Sequence, residues 1–124
     1  MSNCVQTPVQ IAWVTDDLTQ TEAMLTTLLG ARKWIRMPGI HFAPDTCTYR
    51  GAPADFVADI SLSYAGDMQL ELIRPVSGDS IYREFLQACG PGLHHVCMRA
   101  DDRRPSPRHW PTPRPTAHRW CRAA

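Results

Sequence analysis

The chain has 124 residues, of which 44% are hydrophobic, so it is about one domain long and can bury a modest core. Its net charge of +1 hides two unlike parts: residues 1–102 hold 7 of the 13 basic and all 12 acidic residues, giving −5, whereas 103–124 hold 6 arginines and no acid. That balance excludes a partner chosen by overall charge, and no apolar stretch approaches the ~20 residues needed to span a bilayer. The N-terminus lacks a charged start followed by an apolar run, and the five cysteines are scattered without a C-x-x-C pair. They read as reduced thiols, and the expectation is a soluble, cytoplasmic protein with no membrane partner.

In chain order, Val9 to Val14 is a β-prone run with Gln10 as its odd member. Thr15, Asp16 and Asp17 offer N-cap oxygens to a helix over 18–29, with Leu18, Leu25 and Leu28 or Leu29 on one face and Gly30 as terminator. Arg32 to Met37 alternates charged and apolar residues and predicts a second strand that stops at Pro38-Gly39. Residues 38–54, punctuated by prolines and glycines, are expected to be irregular, a flap over a pocket. Phe56 to Tyr64 predicts a third strand, joined by a tight turn at Ala65-Gly66-Asp67 to a fourth from Met68 to Arg74 that Pro75 ends. A second helix over 80–89 is expected to bury Ile81, Phe85 and Ala88 or Cys89. A fifth strand follows a Gly-Pro-Gly turn from Leu93 to Met98, with Asp101 or Asp102 able to cap a further helix.

Three polar residues interrupt strands otherwise suited to burial: Gln10, Glu71 between Leu70 and Leu72, and His95. Each taken alone fits a side chain pointing to water. Taken together, an imidazole, a carboxylate and an amide oxygen make a mixed N/O set suited to a divalent ion such as Zn, Co, Ni or Mn. Such an ion polarises a carbonyl and stabilises the negative charge formed when the neighbouring carbon loses a proton.

The motifs Gln10-Ile-Ala-Trp-Val, Glu71-Leu-Ile-Arg-Pro75, Ser80-Ile-Tyr-Arg-Glu-Phe-Leu86 and Gly92-Leu-His-His-Val, in a βαβββ order, resemble the vicinal oxygen chelate superfamily. That superfamily contains glyoxalase I, bleomycin-resistance proteins and extradiol dioxygenases, and the likeness is greatest to the branch of methylmalonyl-CoA epimerase and glyoxalase-like proteins. The resemblance implies an α+β fold in which two βαβββ modules pair around one metal. Residues 8–102 would be an incomplete glyoxalase-like domain, comprising one module and the first strand of a second. It places Gln10, Glu71 and His95 at metal-ligand positions, with Glu71 as ligand or catalytic base, and leaves the late glutamate of the second module without a counterpart.

The implied function is a metal-dependent isomerase or lyase acting beside a carbonyl or thioester, epimerase-like or lactoylglutathione-lyase-like, impaired by loss of the second module. The alternative is a non-catalytic, resistance-type module that binds a flat small molecule, with Trp13, Trp34 and Tyr64 as stacking residues. From Arg103 onward acids and glycines vanish and 5 of the 11 prolines accumulate, so 103–124 is expected to be a disordered tail produced by a frameshift. Its arginines and tryptophans are accordingly not read as a nucleic-acid surface. A single module leaves the fifth strand with a bare edge, which predicts a homodimer or a poorly soluble protein.

Overall fold

The computed structural model describes residues 5–101, so Cys4, Asp102 and the expected disordered tail lie outside the described residues. The elements run β1 (Val5–Val14), α1 (Leu18–Leu29), β2 (Ile35–Phe42), two short strands β3 (Thr48–Tyr49) and β4 (Ala52–Pro53), β5 (Phe56–Ala65), β6 (Met68–Ser77), α2 (Ile81–Cys89) and β7 (Gly92–Asp101). Five strands make one mixed sheet in the order β2-β5-β6-β1-β7. β1 runs parallel to β6 and antiparallel to β7, so the chain's first strand lies between its last two long ones. The α+β class and the βαβββ order with one added strand are as the sequence predicts.

Two-residue periodicity divides the sheet into two unlike faces. Leu70 and Leu72 of β6 pack on one side with Leu18 and Leu25 of α1. Ala12 and Val14 of β1 and Ile73 of β6 turn to the other side, where Tyr82 of α2 meets them. α1 begins where Asp17 Oδ1 accepts the Gln20 amide at 3.0 Å, and ends at Gly30 in the left-handed region. Leu28 and Leu29 are 68% and 47% exposed, so the helix buries Leu18, Thr21 and Leu25 instead of the longer leucine stripe expected.

Other local expectations are corrected. β2 passes through Pro38-Gly39 to Phe42, because an edge strand absorbs the proline and a positive-φ glycine in a register shift between Met37 and Ile40. The Gly39 amide there donates to Asp59 Oδ1 at 2.8 Å. The supposedly irregular 38–54 segment contains the β3–β4 hairpin, turned by Arg50 and Gly51, both at positive φ. β6 continues past Pro75 to Ser77, since β1 has ended its pairing at Ile73 and leaves that side of Pro75 without a ladder to donate to. α2 buries Tyr82 with Ile81, Phe85 and Leu86 partly covered, while Ala88 and Cys89 are exposed. Asp101 is the last residue of β7, and the helix it was expected to cap would lie outside the described residues.

Trp13 and Trp34 pack on the α1 side, away from the face that carries Gln10, so they cannot stack on a ligand held there. Cys47 is disulfide-bonded while Cys89 and Cys97 are free, which corrects the expectation of five reduced thiols and removes it as a reason for a cytoplasmic location. No helix among the described residues is long and apolar enough to cross a membrane.

Candidate functional site

The register of β1 brings the three interrupting polar residues onto one face. Ala12 is the lateral partner of Glu71 on β6 and of His95 on β7, and Gln10 lies one period earlier on β1, opposite Gln69 and Cys97. Glu71 and His95 therefore flank the fully buried methyl of Ala12 from either side, about two strand spacings or ~10 Å apart at their backbones. The small Ala12 side chain leaves the space between them open to two long polar side chains.

Hydrogen bonds fix the amide of Gln10. Its Nε2 donates to Glu71 Oε2 at 2.6 Å and to Gln69 Oε1 at 2.7 Å, and Gln69 Nε2 in turn donates to the Tyr64 hydroxyl at 3.2 Å. Both Gln10 amide hydrogens are thus taken, and Oε1 is the atom left for another ligand. Gln10 and Glu71 are 3% and 2% exposed, so this polar chain lies inside the fold and not on its surface. A buried carboxylate is costly unless it is hydrogen-bonded or paired, and the Gln10 amide supplies one of the Glu71 partners.

The His94 and His95 rings meet through Nδ1 atoms 2.5 Å apart, where one ring donates and the other accepts. Burial, with the neighbouring His94, pushes His95 down to about 3, and burial alone lowers His94, so both imidazoles are neutral near pH 7. The tautomer in which His95 Nδ1–H donates makes Nε2 its acceptor nitrogen, the form in which histidine binds a metal. Tyr82 closes the face from above, 1% exposed, with its ring centre 5.2 Å from that of His94 and 6.5 Å from that of His95.

Gln10, Glu71 and His95 are the residues the sequence singles out, and Gln69, Tyr82 and Cys97, which it does not, lie beside them. Gln69 and Cys97 join the site only through strand register, and Tyr82 arrives from a helix whose apolar pattern reads as plain core. Among the described residues no group of three or more His, Cys, Asp or Glu side chains is placed to hold a metal ion. Amide oxygen, carboxylate oxygen and neutral imidazole nitrogen nonetheless form a set that fits a borderline divalent ion.

The sequence model for the glyoxalase/bleomycin resistance protein/dioxygenase superfamily matches residues 9–106. No curated protein matches the chain. Among solved structures, a hypothetical protein from Bacillus halodurans aligns with a TM-score of 0.51 and 19% identity over 75% of this chain and 57% of that one. Methylmalonyl-CoA epimerase from Mycobacterium tuberculosis aligns with a TM-score of 0.53 and 17% identity over 82% of this chain and 61% of that one. The likeness to both is one of fold, and this chain spans less than two thirds of either length.

Proposed function

The chain belongs to the glyoxalase/bleomycin resistance protein/dioxygenase superfamily, and from that premise we propose that Gln10, Glu71 and His95 hold a divalent metal ion beside a small carbonyl or thioester ligand. The observation that carries this reading is the convergence of the three on the face of β6, β1 and β7, around the buried Ala12. The bound ion would supply Lewis-acid polarisation of the ligand's carbonyl oxygen. Gln10 would contribute Oε1, its amide held in that orientation by Glu71 and Gln69. His95 would contribute a ring nitrogen, neutral without needing to lose a proton. Glu71 would balance the cation's charge and, through its second oxygen, take a proton from the carbon beside the carbonyl. Intact activity is that of an isomerase or lyase, and residues 8–102 are its incomplete glyoxalase-like domain, with a second copy of the chain completing the site across the β7 edge.

The competing reading as a resistance-type binding module loses two of its three stacking residues, because Trp13 and Trp34 lie on the α1 side. Metal analysis after dialysis against Zn, Co, Ni or Mn separates the readings. One ion per site is expected in the wild type, and little in Glu71→Ala or His95→Ala. A wild-type protein that emerges metal-free yet still binds a flat carbonyl ligand would overturn the metal reading in favour of the binding module.

A further inference from the structure

The site face carries a buried hydroxyl that the three proposed ligands leave unused. Tyr82 stands in the first turn of α2, 1% exposed, and its hydroxyl has no hydrogen-bond partner among the described residues. Its ring is fixed from several sides, edge-on to Phe56 at 5.9 Å and tilted against His94 and His95. A buried hydroxyl without an acceptor costs free energy that a phenylalanine in the same place would not, so its presence calls for a partner. Ser63 also buries an unpartnered hydroxyl, but β5 register pairs it with Leu70 on the α1 side, remote from the three ligands. Tyr82 is instead on the site face, its ring beside those of His94 and His95. A phenol is protonated at neutral pH, so its hydroxyl has a hydrogen to donate.

We propose that the Tyr82 hydroxyl donates a hydrogen bond to a carbonyl or carboxylate oxygen of the small molecule bound beside Gln10, Glu71 and His95. The proposal rests on the metal reading above. It assigns α2 a part in ligand recognition and favours ligands with two neighbouring oxygens, one toward the metal site and one toward Tyr82. Tyr82→Phe removes only the hydroxyl, and three measurements on it and the wild type decide the matter: thermal midpoint without ligand, Mn²⁺ affinity, and calorimetric titration of oxalate in the presence of Mn²⁺. The expected result is an equal or higher midpoint, equal Mn²⁺ affinity and about 10-fold weaker oxalate binding, the size of one lost hydrogen bond. Equal oxalate affinity in the two proteins overturns the proposal while leaving the metal reading intact, as does a wild type that holds Mn²⁺ but not oxalate. A lower midpoint overturns it whatever the affinity, because the hydroxyl then has a partner within the fold. A wild type that holds no Mn²⁺ sinks the metal reading, and the proposal falls with it.

Discussion

Gln10 illustrates how a neutral side chain is made to present one particular atom. An amide has a donor end and an acceptor end that differ little in shape, and only its neighbours choose between them. Here Glu71 and Gln69 both offer acceptors at 2.6 and 2.7 Å, so the nitrogen is drawn to them and the oxygen is turned away. Gln69 is therefore a positioning residue for the proposed metal site, acting through Gln10. Gln69→Leu should fold normally yet weaken Mn²⁺ binding about 10-fold, the usual cost of losing a residue that orients a ligand. Electron paramagnetic resonance titration of Mn²⁺ checks this, and an unchanged affinity would show that Glu71 alone suffices. The three candidate ligands were legible in the sequence because each breaks an apolar strand. Gln69 was not, since a glutamine at the start of a strand looks like ordinary surface, and only the pairing of β1 with β6 reveals its partner.

Elements are held together by polar ties as well as by their apolar faces, and α1 shows one. Glu22 accepts from Arg36 on β2 at 2.5 and 3.1 Å and from the buried Ser61 hydroxyl on β5 at 2.7 Å, so one carboxylate joins a helix to two strands. Those bonds favour the charged form and hold the Glu22 carboxyl below its usual range, the Arg36 bond contributing most. A depressed folded-state value means that the stabilisation is present above the ordinary carboxylate value of about 4.3 and is lost as pH falls through the lower folded value. The half-exposed guanidinium screens part of the effect, and Glu22→Gln should cost about 1 kcal/mol at neutral pH. Urea denaturation at pH 7 and again at about pH 2 tests the sign, because the wild type and the variant should converge once Glu22 is protonated. A difference independent of pH would assign the loss to packing. At this scale the β5–β6 hairpin was readable from Gly66-Asp67, and α1 from its cap. The β3–β4 hairpin was hidden because its turn places Arg50 at positive φ, a position sequence reasoning assigns to glycine or asparagine. Arg50 tolerates it with its guanidinium over the Tyr49 ring and paired with Glu84 of α2.

The whole sheet, as far as the described residues show it, ends in two edges of unlike character. β2 is broken by Pro38 and the Gly39 bulge and carries Arg36 and His41, all features that discourage pairing with another chain. β7 has no proline, and its pairing with β1 shifts register twice, near the start of β7 opposite Ala12 and Trp13 and again where Cys97 and Met98 face Gln10 and Pro8. On the α1 side of the sheet, next to Ile11 and Trp13, β7 leaves Leu93, Val96 and Met98 exposed by 48%, 43% and 41%. α1 packs on the β6 leucines Leu70 and Leu72. An open edge flanked by apolar side chains is a surface on which a second strand pairs and buries area at once, so the chain should self-associate through β7. Sedimentation of the wild type should give a dimer, and Val96→Lys with Met98→Lys should raise the dissociation constant by at least about 10-fold while leaving the site face untouched. If the proposed metal site is completed by the second copy, the same double variant should also weaken Mn²⁺ binding, in step with the loss of dimer. A double variant that is monomeric yet binds Mn²⁺ as well as the wild type would show that Gln10, Glu71 and His95 act within one chain. A wild type that sediments as a compact monomer would show that the β7 edge is covered by other means.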